Sequence, residues 1–392
     1  MKIQLLLSCV LFGFSLSLFA KDMDARVDNE LGFRYAQGAS STVVRSKPYI
    51  KSHLFKKFGE DFEAPAIDIA FKAEQRLNES NQGEQVELRS FRFLQKGEYY
   101  ALDWGLKNIS WSETFGFNIL DLVNPRDWSD YVFEDLSWVQ LPVWALKNSL
   151  IFGSFKLQAI YVPRARNAIL PKEGAYYDPL PSSLALLKRE DFSKKQIFKD
   201  DEKGIRLEYL FDFGLDLSLI AYEHFNRSPT YYLESGRLKP ADNKLQSYAM
   251  SFTYANGGMV LRGDTLKTLK QPYFSTDLSY AEKDELQGIY GLDYTFENQL
   301  ILGAQYQFSQ ISGYQWGALQ LKKTIEDFDL QCLIFWGINN DDRWARPEVT
   351  WHLPYNMSLR GYYDYIQNNK GQGVLGPFHN KNTFALNWNW LF

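Results

Sequence analysis

The last eleven residues constrain this chain more than any other segment. They read Asn382, Thr383, Phe384, Ala385, Leu386, Asn387, Trp388, Asn389, Trp390, Leu391, Phe392. Every second position from Phe384 is large and apolar: Phe384, Leu386, Trp388, Trp390 and Phe392. The residues between them are small or polar until Leu391. A period of two means a β-strand with one apolar face. Few water-soluble folds end on such a strand with an aromatic ring as the last residue. The pattern suits a strand with lipid on one side and a polar lumen on the other.

Residues 1–20 read as a secretory signal peptide. Lys2 gives a positive start, Leu5 to Phe19 is almost wholly apolar, and Ala20 is a cleavage position before Lys21 and Asp22. A single anchoring helix is the rival reading, but the run is short for a span of about 20 residues. A lipoprotein cut before Cys9 is a second rival; the apolar run continues well past that cysteine. With residues 1–20 removed, Cys332 is the one remaining cysteine, so a disulfide framework and a cysteine metal cluster are excluded. Cys332 reads as a small hydrophobe on a strand face.

Aromatic residues make up 16% of the chain, which fits interfacial girdles of Trp and Tyr. Charge is nearly balanced, with 43 basic and 47 acidic residues, so nothing points to nucleic acid. The mean hydropathy of −0.35 does not oppose a membrane location, because a barrel strand is apolar only at alternate residues.

The second half is a run of hairpins. Ile205, Leu207, Tyr209, Phe211 and Phe213 alternate with polar neighbours, Gly214 turns the chain, and Leu215, Leu217, Leu219 and Ala221 alternate with Asp216, Ser218, Ile220 and Tyr222. Asn256-Gly257-Gly258, Glu297-Asn298 and Pro354-Tyr355-Asn356 mark further tight turns. Longer polar segments join the pairs at the other end. Such asymmetry places short turns in the periplasm and long loops outside. Residues 21–392 thus read as one all-β domain, a transmembrane antiparallel outer-membrane β-barrel of about eighteen strands, from 28–37 to 381–392. The first three, 28–37, 45–55 and 62–72, carry the weakest alternation, and sixteen strands is the alternative. Both numbers are even, as in bacterial single-chain barrels.

Two loops, 111–139 and 163–203, are too long to be mere connectors. The first is unusually apolar. Phe115, Phe117, Ile119, Leu120, Leu122 and Val123 cannot all face water, so the loop is expected to fold into the lumen against the inner wall. Asn124-Pro125 starts a turn, with Asn capping and Pro fixing φ. The loop offers Glu113, Asn124, Pro125, Arg126, Asp127 and Asp130 to a constriction. Either these residues anchor the loop or they meet the solute; the sequence leaves both open.

This region also carries a resemblance. Trp111, Glu113 and Gly116, then Leu120, Asp121, Val123, Asn124, Pro125 and Asp127, then Pro142 and Trp144, match in order a Trp-Gly-Glu segment, a Leu-Asp-Val-Val-Asn-Pro-x-Asp segment and an Ile-Pro-Leu-Trp segment. Ser112 replaces the Gly of the first. Tyr161-Val162-Pro163 with Leu170-Pro171 continues the match, which covers roughly residues 98–172. The pattern resembles a family of porin-like outer-membrane proteins known mainly as a domain of unknown function. The resemblance implies an outer-membrane channel, with a hydrophobic or amphiphilic solute as one option. The terminal strand similarly resembles the sorting signal of outer-membrane barrels, which makes Phe392 the expected contact with the barrel assembly machinery.

By alternation, Asp103, Lys107, Arg206, Glu208, Asp212, Arg262, Asp264, Asp293, Arg360 and Asp364 point inward. Of these, Arg206, Glu208, Arg262, Asp264, Arg360 and Asp364 are the wall's candidates for the pore. Facing charges would set a transverse field on polar solutes; the plainer reading is a solvated lumen held by ion pairs. His224, Asn226 and Ser228 carry the residue types of an outer-membrane phospholipase, but all three sit at one strand end. No metal spacing, nucleophile elbow or phosphate loop is present. The sequence therefore reads as a porin-like channel in the Gram-negative outer membrane, passing small polar or amphiphilic solutes inward or outward without reaction or cofactor. A plugged barrel acting as adhesin or scaffold is the alternative, and an outer-membrane enzyme comes last. The expected partners are outer-membrane lipids, the assembly machinery and an unspecified solute. A barrel of this size closes alone, which favours a monomer over a trimer.

Overall fold

The protein is described by a computed structural model covering residues 26–37, 43–59, 64–76, 83–114, 118–129, 139–171, 178, 187–227, 230–274, 278–368, 373–379 and 381–391. The expected signal peptide, Phe115, Phe117, Asp130, Ser228 and Phe392 lie outside these residues.

Among the described residues twenty strands follow one another. The first nine are β1 Arg26–Gln37, β2 Val43–Lys57, β3 Ala66–Arg76, β4 Gly83–Lys96, β5 Tyr100–Lys107, β6 Val143–Phe152, β7 Phe155–Val162, β8 Glu202–Leu210 and β9 Leu215–Phe225. A short hairpin, β10 Tyr231–Glu234 and β11 Arg237–Pro240, interrupts the series. Then come β12 Lys244–Asn256, β13 Met259–Phe274, β14 Tyr280–Thr295, β15 Ile301–Ser309, β16 Gln315–Ile325, β17 Phe328–Gly337, β18 Arg343–Leu353, β19 Met357–Gln367 and β20 Thr383–Leu391.

All but the small hairpin join one 18-stranded antiparallel sheet. Each strand pairs with its neighbour in the chain, and β9 pairs with β12 across the hairpin insertion. β1 pairs with β2 on one side and with β20 on the other, from Asp28↔Leu391 to Ala36↔Thr383. The ladder thus returns to its start. That matters in hydrocarbon, where an unpaired backbone edge has no water to satisfy it. Eighteen strands in the sheet agree with the sequence expectation, and the alternative of sixteen falls. The hairpin β10–β11 was not anticipated; it sits in the loop between β9 and β12.

The alternation sorts the faces as expected. Ser218, Ile220 and Tyr222 are buried inside, whereas Leu219 is half exposed on the outer wall. On β20, Phe384, Leu386 and Trp388 are exposed while Ala385 and Asn387 are buried. Trp390 shares the face of Trp388, with ring centroids 5.1 Å apart, but is buried. Asp212 departs from the expected inward set. It stands exposed in the β8–β9 turn, beyond the strand end, so it lines no lumen. That turn needs Gly214, whose φ of 87° is closed to most side chains. The three-residue β18–β19 turn instead puts Tyr355 and Asn356 at φ 64° and 55°, in the left-handed region.

The polar-inward, apolar-outward wall leaves the core of this protein in the lumen. One apolar cluster joins loop residues 109–123 to the inner faces of β6, β7, β9, β12, β13 and β14. A second joins Leu375 and Phe378 to Trp316, Ala318, Phe335, Trp344 and Ile366 on β16–β19. Two loops therefore turn inward, one on each side of the barrel.

Candidate functional site: the inward loops and the outer vestibule

The β5–β6 loop turns inward because its sequence is too apolar for water. Trp111, Leu120 and Val123 are each no more than 2% exposed, packed on Val143, Ala145, Ile160, Val162, Ile220 and Tyr222. Burying side chains of that size contributes about 1.5–3 kcal/mol apiece. Trp111 meets Tyr222 edge to face at 5.4 Å.

Asn124 closes the loop. Its Nδ2 donates to the carbonyls of Lys107 (3.1 Å) and Leu141 (2.8 Å), and its Oδ1 accepts from the Ile109 amide (2.7 Å). One buried amide thus ties the point where the chain leaves β5 to the point where it enters β6. The expected role as a turn cap is replaced by this clamp. Pro125 completes it, since its carbonyl accepts from the Leu141 amide at 2.7 Å. Asp121 supports the same joint, accepting from Ser110 (2.6 Å) and from Gln140.

The start of the loop is pinned to β8 and β13 by charge. Arg206 on β8 reaches Glu113 at 3.3 Å while also holding Ser218 and Glu208. Arg262 on β13 donates to the Glu113 carbonyl (3.1 Å) and pairs with Asp293 (3.0 Å). Asp264, fully buried, accepts from Ser112. Glu113, Arg206, Glu208, Arg262 and Asp264 therefore form one group. Arg360 and Asp364 do not join it. They lie on β19, half-way round the ring from β8, where Arg360 pairs with Glu348 (2.7 Å) and Asp364 with Arg346 (2.7 Å).

Arg126 and Asp127 occupy the returning arm. Arg126 donates to the carbonyl and side-chain oxygen of Asn118 (3.3 and 3.2 Å) and lies 5.7 Å from the centre of the Trp128 ring. Partial burial works against its charge and Asp121 supports it. Asp127 turns back on the Ser129 amide (2.9 Å), and its backbone bridges to Ile169 of the next long loop.

Several anchoring residues escaped sequence reasoning. Arg227 contacts both oxygens of the buried Glu202 and the carbonyls of Leu122, Val123 and Arg166, so it knits the two long loops together. The β19–β20 loop was passed over entirely. Its run Val374-Leu375-Gly376-Pro377-Phe378 carries the same signal as the first loop, apolar residues in a connector. Asp342 holds it by accepting from the amides of Val374 (2.9 Å) and Leu375 (3.1 Å). His224 is a structural residue in this arrangement: Nε2 meets Ser247 Oγ at 2.9 Å and Nδ1 meets the Phe225 carbonyl at 2.8 Å.

Above the first loop, at the end from which the long loops project, lies a cavity of about 710 Å³. Its floor is Asn118, Asp121, Asn124 and Arg126, and its walls come from β9, β13, β14 and β15. At the short-turn end a second cavity of about 840 Å³ opens beside Arg92, Asp103, Lys147 and Lys156.

No family model and no curated protein matches this sequence. Solved structures do. The chain is similar to OccK5 (OpdH) of Pseudomonas aeruginosa, with a TM-score of 0.57 at 10% identity over 94% of this chain and 97% of that one. It is similar to Salmonella typhi OmpF, solved in complex with daunomycin, with a TM-score of 0.51 at 10% identity over 94% and 97%. At that identity the likeness is one of fold, and the chain accordingly has the architecture of an outer-membrane β-barrel of the porin kind.

Proposed function

We propose that the protein is a passive channel in the Gram-negative outer membrane, passing small polar solutes through a lumen narrowed by the β5–β6 loop. The observation that carries this is the loop's seat: an apolar underside packed on the inner wall, and a charged edge pinned by Glu113 to Arg206. Such a seat narrows a barrel of this width while leaving polar groups along the path, the arrangement that sets passage by pore diameter, hydrogen bonding and field. Cavities above and below the loop are consistent with a solute path. The resemblance of residues 98–172 to porin-like proteins points the same way. No chemistry is required of the barrel.

Single-channel recording in planar bilayers tests the reading. The full chain is expected to give discrete conductance steps. Removal of residues 114–134 is expected to enlarge them several-fold. A folded wild-type barrel that never conducts would replace the channel with a plugged scaffold, a reading that the two inward loops favour. A channel whose conductance ignores the deletion would move the constriction to the β19–β20 loop.

A further inference from the structure

The vestibule above the β5–β6 loop holds its charged groups in internal hydrogen bonds and ion pairs. Four of its lining groups other than His224 are ionisable acids or arginines, and each is engaged by the protein. Asp121 accepts from Ser110 and Gln140. Glu285 accepts from Ser309 Oγ (2.8 Å) and the Ile311 amide (3.0 Å). Arg227 is saturated by Glu202 and three backbone carbonyls. Arg126 is turned onto Asn118 and the Trp128 ring. His224 has both nitrogens in hydrogen bonds.

Compensation extends below the vestibule. Arg206 faces Glu113 and Glu208, Arg262 faces Asp293, Arg346 faces Asp364 and Arg360 faces Glu348. At these positions the lumen offers paired charges; at the short-turn end, outside the vestibule, Arg92, Lys107 and Lys147 share Asp103. An anion entering the lumen would compete with a carboxylate already in place, and a cation with a guanidinium. Breaking such a pair leaves its other half uncompensated, which is unfavourable when it is buried.

What the vestibule leaves to a solute is neutral. Gln287 and Gln307 present amides, and Tyr273 and Tyr314 add rings, while Gln271 and Thr268 are bonded to Asn226 and Ser247. Gln287 and Gln307 stand on adjacent strands of the same wall, β14 and β15, where Gln307 is opposite Ile289 and Gln287 opposite Ser309. Amides both donate and accept, as sugar hydroxyls do. Exchange of one such bond for another costs little, so a solute can enter and leave. We infer that this vestibule, on the channel reading above, selects neutral polyhydroxylated solutes such as small sugars over organic ions of equal size.

Proteoliposome swelling with the purified full chain tests this, using glucose, gluconate and glucosamine as neutral, anionic and cationic probes. Glucose is expected to enter at least fivefold faster than either ion. Gln287→Leu and Gln307→Leu together are expected to slow glucose several-fold, whereas Gln320→Leu, on β16 outside the vestibule, leaves it unchanged. Wild-type entry of gluconate or glucosamine at the rate of glucose overturns the inference while leaving the channel standing. Absence of swelling with all three probes, together with absence of conductance, overturns the channel reading and this inference with it. The wild-type comparison decides the matter even where a variant fails to fold.

Discussion

Arg227 places one guanidinium nitrogen 2.5 and 2.7 Å from the two carboxylate oxygens of Glu202, whose side chain is fully buried. The pair stands where β8 begins and β9 ends, and the same guanidinium holds the carbonyls of Leu122 and Val123. A wall residue and the inward loop are thus fixed by one group. Glu202 also accepts from Tyr222 Oη (3.0 Å) and the Phe225 amide (3.0 Å), so its charge is well shared.

Arg227→Met is therefore expected to destabilise the barrel by about 3–5 kcal/mol, because it strands a buried carboxylate. Glu202→Gln added to it should restore part of that loss. Urea unfolding in detergent, run as a double-mutant cycle, reads the coupling. Additive single effects would show that the two residues act separately.

The assigned register makes a sharp test on β16. Leu319 is exposed on the outer wall and Gln320 faces inward. Leu319→Arg should cost about 2–4 kcal/mol near the membrane midplane. Gln320→Arg should cost little. Heat-modifiable migration on gels separates folded from unfolded barrel for both. Equal losses would mean a register shifted by one residue, which exchanges every face.

The barrel was legible because a period of two survives along each strand, and because the turns carry Gly, Asn or Pro. The inward loop was legible for a different reason: its apolar residues had nowhere else to go. The precise partners were not legible. That Asn124 would clamp Lys107 to Leu141, or that Arg227 would reach Glu202, depends on where two loops cross, and no local pattern encodes a crossing. Asp212 was misplaced because alternation was carried past the strand end. Trp390 keeps the expected face, and its burial beside Trp388 comes from packing that periodicity does not see.

Asn124→Ala tests the clamp. It leaves the carbonyls of Lys107 and Leu141 and the Ile109 amide without their side-chain partner, at about 1–3 kcal/mol for each buried group left unsatisfied. The wall itself keeps its ladder, so the barrel should still assemble. Larger and noisier conductance steps are expected, with faster proteolysis of the loop. Quiet wild-type steps would show that the apolar packing alone holds the loop.

We further propose that Phe392 is read by the barrel assembly machinery. Deleting it should leave the protein stalled or degraded in the periplasm. Normal amounts of heat-modifiable barrel in outer-membrane fractions would count against that role.

At the vestibule floor Asp121 and Arg126 offset one another. Each has hydrogen-bond partners that are neutral: Ser110 and Gln140 for the carboxylate, Asn118 for the guanidinium. Arg126→Ala removes the positive member and leaves Asp121 in place, so the reversal potential in a salt gradient should move toward cation preference. Asp121→Asn keeps the hydrogen-bonding shape and leaves Arg126, so it should move the potential toward anions. Both shifts should be larger near 0.1 M salt, where the screening length is about 10 Å, than near 1 M, where it is about 3 Å. Opposite signs with that salt dependence would place the pair beside the ion path. Two variants that fold, conduct and leave the reversal potential unmoved would place the path elsewhere and reduce Arg126 to an anchor of the loop.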